Sequence, residues 1–242
     1  MRLRSLLLLL LTVTLLLAGC RREKAQLRGS GAVVSESRPV TAFTRVTLAM
    51  PGLVVIEQGD TDAVTVEGDD NILANANTTV VDGNLVIAAR NSYLTPHPTA
   101  PVTVRVTGKA INTVDVTGVG EGRVRGLTAP ELKLILGGPG TLSADDIQVD
   151  QLKVSAGGTG RLAVAGRTTR QEVTVGGAIT YQADSLDSRD ATITASDSAR
   201  AIVRASDSLN ATVSNGATIE YLGSPRVTER VIGSGQVRPY AP

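Results

Sequence analysis

Between residues 111 and 222, short runs of alternating apolar and polar residues return with a period close to 20 positions. Each copy holds a few alternating Val, Leu, Ile or Thr residues and ends in glycine or a small polar residue. The copies begin at Ile111, Glu131, Gln151, Gln171, Ala191 and Ala211. A fixed period of this length predicts a solenoid, in which each repeat buries its apolar side chains only by stacking on its neighbours.

A small residue at the end of each copy marks the expected corner of a coil. These residues follow one another at spacings of 20, 20, 19, 20 and 19: Gly118, Gly138, Gly158, Gly177, Asp197 and Gly216. Glycine permits the left-handed backbone that a tight corner needs. Residues one coil apart should lie about 4.8 Å from each other, as in a parallel sheet. The sequence therefore predicts an all-β, parallel β-helix-like solenoid with coils of about 20 residues.

The spacing also predicts which side chains stack across coils. Two inward apolar stacks are expected, the second offset by one residue: Val114, Leu134 and Val154, then Val173, Ile193 and Val213. An outward column consists of Asp150, Arg170, Asp190, Asn210 and Arg230. Since no two adjacent members carry the same sign, a ladder that holds the register is favoured over a charged binding strip, at about 0.5 kcal/mol for each exposed pair.

The first half of the chain predicts less regular coils or hairpins. Short alternating β segments are separated there by Gly, Pro, Asp and Asn, and they recur at about half the later period. Asp82-Gly83 predicts a tight hairpin turn, because both residues tolerate positive φ. One helical turn is expected within residues 70–76, and Gly31 to Val34 and Gly235 to Val237 are candidate end strands.

Several motifs in this half occur in a recognisable order. They are Gly29-Ser30-Gly31, Phe43-Thr44-Arg45-Val46, Val55-Ile56-Glu57-Gln58-Gly59-Asp60, Val64-Thr65-Val66-Glu67-Gly68-Asp69-Asp70-Asn71 and Asp82-Gly83-Asn84-Leu85-Val86-Ile87. This order resembles the bacterial GIN-domain family (DUF2807), as do the later glycine-rich repeats and a closing Gly233-Ser234-Gly235. The resemblance covers about residues 29–237. It implies a right-handed β-helix-like fold in an autotransporter-adhesin head domain, often carried by a lipoprotein, and it brings no catalytic residues.

The N-terminus is typical of a bacterial export signal. Arg2 and Arg4 precede an apolar run, from Leu6 to Leu17, that is too short for a comfortable transmembrane helix. The following Leu17-Ala18-Gly19-Cys20 resembles a lipobox, whose cysteine is diacylated after the signal is removed. An ordinary secretory cleavage beside an incidental cysteine is the alternative. Because Cys20 is the only cysteine, an intrachain disulfide is excluded.

We therefore expect an exported protein that is anchored in the cell envelope by lipid on Cys20. More than one acyl chain makes such an anchor stable. Arg21 follows the cysteine in place of Asp, which by resemblance to Gram-negative lipoproteins favours the outer membrane. The expected organisation is a signal peptide over 1–19, a charged tether over 20–28, a β-solenoid domain over 29–238 and a tail over 239–242.

Composition narrows the class of partner. With one Phe, four Tyr and no Trp, the core must be built from Val, Leu, Ile and Ala, and platforms for stacking nucleic-acid bases are scarce. Removal of residues 1–19 takes away two arginines, which leaves 22 basic against 23 acidic side chains and a net charge near −1. Neither this balance nor any basic run indicates a nucleic-acid partner.

Candidate chemistry is sparse. Asp187 and Asp207 are expected about one coil apart, close to the spacing of a retaining glycosidase pair. Both lie in Ser/Asp-rich corners, where these residues are favoured because they hydrogen-bond their own turn, and this interpretation is preferred. His97, the only histidine, lies between two prolines in a predicted polar loop, without recognisable partners. No cofactor or metal motif occurs, so neither is expected.

The sequence thus predicts a non-enzymatic envelope protein that binds, adheres or acts as a scaffold through its solenoid faces. The alternatives are a polysaccharide-active enzyme on a β-helix and an envelope signalling or stress component that acts through protein partners. An envelope protein or a glycan is the expected ligand. Since an open solenoid end exposes unpaired backbone, a homo-oligomer is also compatible with the sequence.

Overall fold

A computed structural model describes residues 25–241 as an all-β parallel solenoid of about six turns, with coils of roughly 20 residues. This confirms the predicted fold class and period. The expected signal peptide, Cys20 and the first residues of the tether lie outside the described residues. Residues 25–28 of the predicted tether form a strand.

The first half of the described chain consists of short strands and one short helix. They are β1 (Ala25–Arg28), β2 (Val33–Arg38), β3 (Arg45–Ala49), β4 (Leu53–Gln58), β5 (Ala63–Asp69), α1 (Asp70–Leu73), β6 (Ala76–Val81), β7 (Asn84–Ala89), β8 (Leu94–His97) and β9 (Thr103–Gly108). Helix α1 falls inside the segment for which one helical turn is predicted.

The second half contains the regular coils. Its strands are β10 (Thr113–Thr117), β11 (Glu121–Arg125), β12 (Thr128–Gly138), β13 (Thr141–Gly158), β14 (Arg161–Val175), β15 (Thr180–Ala195), β16 (Arg200–Arg204), β17 (Ser208–Asn215), β18 (Thr218–Leu222), β19 (Arg226–Gly233) and β20 (Gln236–Pro239). Strands β12 to β15 continue around a corner, so each of them contributes to more than one sheet.

Three parallel sheets form the sides of the solenoid. The first sheet stacks β7, β3, β10, the later parts of β12 to β15, β17 and β19. The second sheet stacks β9, β4, β11, the earlier parts of β13 to β15, β16, β18 and β20. The shorter third sheet joins residues 128–129, 147–149, 166–168 and 185–188.

The two apolar stacks predicted for the first sheet are one continuous stack. Val154 pairs with Val173, because the coil between them is one residue shorter than its predecessor. The stack continues from Ile193 to Ala211, so the prediction of Val213 at this level is wrong. The coil that ends at Ala211 has two residues fewer than the one before it, and Val213 moves along the strand to pair with Ala195.

The core inside the three sheets is narrow and aliphatic, as the composition predicts. Val46, Ile56, Leu134 and Ile193 are almost completely buried, as are most inward Val, Leu, Ile and Ala side chains. Each fully buried residue of this size stabilises the fold by about 1.5–3 kcal/mol. Tyr181 is the largest fully buried side chain.

The first coil of the chain lies inside the stack. Strand β3 pairs with β7 on one side and with β10 on the other. Strand β4 likewise pairs with both β9 and β11. The first half therefore extends the same two sheets as the repeats, but in an order that differs from the order along the chain.

Antiparallel strands cover the N-terminal end of the solenoid. Strand β5 pairs with β9, β2 pairs with β5, and β6 pairs with β7. The turn between β6 and β7 has positive φ at both Asp82 (49°) and Gly83 (71°), as a type I′ hairpin requires. This confirms the predicted hairpin. Strand β1 pairs only with β8 among the described strands.

The C-terminal end of the solenoid is formed by the parallel strands of the last coil, β19 and β20. Among the described strands, β19 pairs only with β17, and β20 only with β18. In the inward stack, Glu229 follows Ala211, so a carboxylate occupies the position where another coil would need an apolar side chain. A charge that points inward at a sheet edge opposes further pairing. The predicted end strands correspond to β2 and β20.

Candidate functional site: a groove at the end of the third sheet

The corners of the coils set the register of the strands between them. Positive φ occurs at all the predicted corners from Gly118 to Asp197, but the next corner is Asn215 (φ 57°) and not Gly216. The shorter coil places Asn215 there, and asparagine tolerates this conformation better than most residues. Gly233 (φ 82°) occupies the corner after it.

Asp197 is held in place by its corner neighbours. Its carboxylate accepts hydrogen bonds from the Gly177 N–H (3.1 Å) and the Asn215 amide (3.0 Å). The bond from Gly177, followed by those from the Asn215 and Ser196 side chains, holds the pKa of Asp197 below its ordinary value. The carboxylate thus links three successive coils.

The third sheet begins at an edge that one side chain covers. The Gln58 side-chain oxygen accepts a hydrogen bond from the Thr128 N–H (2.8 Å), and its amide donates to the Thr128 carbonyl (3.3 Å). Gln58 therefore occupies the hydrogen-bonding position of a neighbouring strand. Covering an edge in this way protects it from pairing with other chains.

The third sheet ends where the coils become shorter. From Arg170 to Asp190 the register advances by 20 residues, but from Asp190 to Ser208 it advances by only 18. The two missing residues leave no regular ladder beyond residue 188 on this side. A groove of about 540 Å³ lies there, lined by Arg167, Thr168, Asp187, Ser188, Arg189, Arg204, Ala205, Ser206, Gly223 and Ser224.

A buried polar network braces the floor of the groove. The Arg204 carbonyl, which lacks a ladder partner on this side, accepts hydrogen bonds from Ser188 Oγ (2.5 Å) and Gln171 Nε2 (3.1 Å). Gln171 Nε2 also donates to Ser188 Oγ (2.7 Å), and Tyr181 Oη donates to Gln171 Oε1 (3.2 Å). Burial raises the pKa of Tyr181, so this phenol stays protonated. A satisfied network of this kind fixes one arrangement of the floor.

The rim of the groove alternates basic and acidic side chains. Asp187 lies opposite Arg167 in register, and its carboxylate is 3.9 Å from Arg204 Nε. Arg204 Nε also donates to the Asp184 carbonyl (2.8 Å). The guanidinium of Arg167 makes no hydrogen bond or ion pair with another residue in the described part of the chain. It is therefore free to engage a ligand.

Asp187 and Asp207 do not lie opposite each other across one coil, as the glycosidase alternative would require. The Asp207 N–H donates to the Arg189 carbonyl (2.9 Å), so Asp207 lies beyond the position opposite Asp187. Its carboxylate accepts from Ser206 Oγ (2.7 Å) and is 3.6 Å from Arg189 Nε. The side chains of Asp187 and Asp207 are 72% and 57% exposed. The shortened coil separates the two acids, and Asp207 makes the local turn contact that its sequence context favours.

The prediction of an outward charged column is only partly correct. Arg170 does pair with Asp190, but Gln151 takes the place predicted for Asp150. Beyond Asp190 the column continues with Ser208 and Arg226, whereas Asn210 pairs with Thr192 and Arg230 with Thr212. Here again the coils of 18 residues shift the register from the assumed 20.

Asp190 is nevertheless held by Ser208 in the next coil and by the preceding residue, Arg189. Ser208 Oγ donates to its carboxylate (2.6 Å), and Arg189 Nε is 3.2 Å away. The hydrogen bond from Ser208, together with Arg189 and Arg170, holds the pKa of Asp190 below its ordinary value. Within the column, the hydrogen bond between Ser208 and Asp190 therefore joins two successive coils.

His97 lies in a strand and not in a loop. It is the last residue of β8, pairs with Arg28, and accepts a hydrogen bond from the Gly29 N–H at its carbonyl (3.0 Å). Its side chain is exposed. Within residues 25–241, no group of three or more His, Cys, Asp or Glu side chains could hold a metal ion.

The sequence did not predict a contact that joins residues 29–31 to residues 69–71 and Thr99. This contact is here called the clasp. The carboxylate of buried Asp69 accepts from the Gly31 N–H (2.9 Å), the Thr99 N–H (2.7 Å) and Thr99 Oγ1 (2.6 Å). The Thr99 hydroxyl is the main reason that the pKa of Asp69 lies below its ordinary value. Two motifs of the family resemblance, Gly29-Ser30-Gly31 and the one that ends in Gly68-Asp69-Asp70-Asn71, were the available signal, because both lie in the clasp.

Glu220 is a second anchored carboxylate that the sequence did not reveal. Its side chain is 5% exposed and lies between Arg200 Nε (2.7 Å) and Arg238 Nη2 (2.9 Å). Burial alone raises the pKa of Glu220, but the hydrogen bonds from the two arginines outweigh it and leave the pKa below its ordinary value. The three side chains connect the last three coils of the second sheet.

These features define a parallel β-solenoid domain with a covered N-terminal end, a charged C-terminal end and a lateral groove. The chain belongs to the DUF2807 family, described as "Putative auto-transporter adhesin, head GIN domain", whose profile matches residues 42–225. This confirms the family that the sequence motifs resemble. No curated protein matches the chain.

Solved structures of similar fold include three from the genera Bacteroides and Parabacteroides. An adhesin-like protein of Bacteroides fragilis, described as a "putative adhesin", is 20% identical, with a TM-score of 0.82 over 88% of this chain and 100% of that one. A "Putative lipid binding protein" of Parabacteroides distasonis is 20% identical, with a TM-score of 0.75 over 89% and 100%. A "putative adhesin" of the same organism is 20% identical, with a TM-score of 0.69 over 89% and 100%. At this identity the likeness concerns the fold.

The described residues contain only one helix, and its four residues cannot cross a membrane.

Proposed function

We propose that the protein is a lipid-anchored component of the cell envelope that works by adhesion or scaffolding and not by catalysis. Membership of a family described as adhesin heads is the observation that carries this proposal. The solenoid supports it, since stacked coils form long, rigid faces of the kind that repeat proteins use for binding. The lipobox-like Leu17-Ala18-Gly19-Cys20 supports the anchor, and Arg21 in place of Asp after the cysteine supports the outer membrane as its site.

The arrangement of the acids also favours binding over hydrolysis. A retaining glycosidase needs two carboxyl groups about 5–5.5 Å apart, on either side of one sugar bond. Here Asp187 lies between Arg167 and Arg204, whereas Asp207 contacts Arg189 and its own turn. Each acid thus has its own arginine partner, Arg204 for Asp187 and Arg189 for Asp207, and the two do not share one position.

The anchor is tested by replacing Cys20 with Ser in the full chain expressed in a Gram-negative host. We expect the native chain to sediment with outer membranes, because two or more acyl chains hold it there, and the Cys20→Ser variant to be recovered in the soluble fraction. Ser5→Ala, in the same N-terminal segment, is the matched control and should leave the native distribution unchanged. Continued sedimentation of Cys20→Ser with membranes would contradict the anchor.

Adhesion is tested with the same strains. Cells that carry the native chain should adhere to glycan- or protein-coated surfaces more strongly than cells that carry Cys20→Ser, since only an anchored domain can link the cell to the surface. Equal adhesion of the two strains would show that this domain does not mediate attachment.

A further inference from the structure

We infer that the groove at the end of the third sheet binds a carboxylate-bearing sugar within an acidic glycan. The inference rests on the proposed binding function and specifies its ligand. A volume of about 540 Å³ lies within the range of small-ligand sites in proteins. The following contacts decide the chemistry of the ligand.

The basic side chains suit a carboxylate. Arg167, Arg189 and Arg204 line the groove, and the Arg167 guanidinium has no partner in the described part of the chain. A guanidinium presents its donors as a planar fork that matches a carboxylate with two parallel hydrogen bonds. One anionic group on Arg167 would leave the ion pair between Arg204 and Asp187 intact.

The acidic and hydroxyl side chains distinguish a sugar from other anions. Asp187 follows Arg167 in the same column of the third sheet, and Ser206 and Ser224 lie in the same groove. An exposed carboxylate accepts hydrogen bonds from sugar hydroxyls, which an inorganic polyphosphate does not offer. A uronate offers both a carboxylate and hydroxyls, which fits this alternation of donors and acceptors.

The floor favours recognition because it is already ordered. The network of Gln171, Ser188, Tyr181 and the Arg204 carbonyl is fully hydrogen-bonded without a ligand. Arg204 is also fixed from its side chain, through the Asp184 carbonyl. Binding therefore orders few side chains, and such preorganisation lowers the entropic cost of association. The groove crosses successive coils, with lining residues at 167–168, 187–189, 204–206 and 223–224, and its length along the solenoid suits a chain of sugars.

The inference is tested with the full chain in detergent, by measuring its affinity for polygalacturonate. We expect binding that is lost when the polymer is fully methyl-esterified, since the ester keeps the hydroxyls and removes the charge. Inorganic polyphosphate should not compete at equal charge. In Arg167→Gln the affinity should fall about tenfold, the effect of losing a charge-assisted hydrogen bond.

The control variant is Arg125→Gln, which removes an exposed arginine of β11 on the second sheet. It should bind like the native chain, and unchanged circular dichroism of both variants excludes misfolding. Three results would each overturn the inference: absent binding of polygalacturonate, equal binding of the esterified polymer, or an equal loss in Arg125→Gln. Adhesion by native cells together with any of these results would leave the proposed function standing and place its ligand elsewhere.

Discussion

Four carboxylates connect segments that are distant in sequence. Asp69 closes the clasp, Asp190 and Asp197 bridge successive coils, and Glu220 lies between two arginines. In all four the pKa lies below its ordinary value, because hydrogen bonds in the folded protein favour the ionised form. Their contribution is fully present above the pKa of the unfolded chain, about 3.9 for Asp. It is lost as the pH falls through the lower folded values.

The replacement of Asp69 by Asn should reduce this dependence on pH. An amide offers one acceptor oxygen to the three donors that now meet the carboxylate, so Asp69→Asn should unfold at lower urea concentration than the native protein at pH 7. On acidification to pH 3 its midpoint should fall less than the native one, since one linked proton is missing. The measurement is urea unfolding followed by circular dichroism between these pH values.

The control is Asp145→Asn, which changes an exposed carboxyl in β13 and should leave the midpoint at pH 7 close to the native one. A clasp without energetic importance would show itself as equal midpoints for Asp69→Asn and Asp145→Asn at pH 7.

At the scale of the coil, the corner glycines differ in whether a larger residue would also disturb the stacking of the coils. A Cβ on Gly158 would lie 2.7 Å from the Gly138 carbonyl oxygen, whereas a Cβ on Gly118 would have no atom within 4 Å. Both residues have positive φ, 106° and 95°. Gly158 is therefore required both by backbone conformation and by close stacking of the coils, and Gly118 by conformation alone.

This difference gives a prediction about stacking. Gly118→Ala should lower the free energy of unfolding by about 1–2 kcal/mol, the usual strain of an L-residue in a left-handed conformation. Gly158→Ala should cost about 3 kcal/mol or more, because the added methyl group also forces two coils apart. Urea unfolding of the two variants measures the comparison. Equal losses would mean that the coils separate freely at this corner.

The period of the repeat was predictable from sequence, and its exceptions were not. The alternation of apolar residues and the corner glycines correctly placed Val114, Leu134 and Val154 in one stack. Beyond Ile193, two coils of 18 residues shift every partner, and nothing in a single copy shows whether a residue is lost from a strand or from a corner. Register errors therefore accumulated towards the C-terminus.

The groove could not be predicted for the same reason. It exists because the third sheet stops at the first short coil, and its floor depends on Gln171, a polar residue at an inward position level with Leu152. The clasp depends on contacts over 30 to 40 residues of sequence, which periodicity cannot reveal. Asp187 was predicted to lie in a corner but lies within β15, opposite Arg167, and only Asp207 makes a local turn contact.

At the scale of the whole molecule, the two ends of the solenoid are blocked by different means. Antiparallel strands cover the N-terminal end, whereas at the C-terminal end the carboxylate of Glu229 occupies an inward position of the last coil. Val231, also an inward position of this last coil, remains 46% exposed. The charge of Glu229 therefore opposes the extension of the apolar stack by a second molecule.

Replacing that charge should promote association. In Glu229→Val the apolar stack reaches the open end, and we expect sedimentation velocity to show a larger fraction of dimers and higher oligomers than for the native protein at the same concentration. Thr228→Val, the outward neighbour in β19, adds a similar apolar group outside the stack and should sediment like the native protein. Equal association of the two variants would point to general surface hydrophobicity.

The position of β3 and β4 between later strands has a consequence for how the chain folds. Synthesis delivers this coil early, yet both of its edges stay unpaired until residues 84–108 and 113–125 are available. We therefore expect winding to start in the interior and to proceed outward in two directions, after a long loop has closed. The repeats can then add one coil at a time to this first coil.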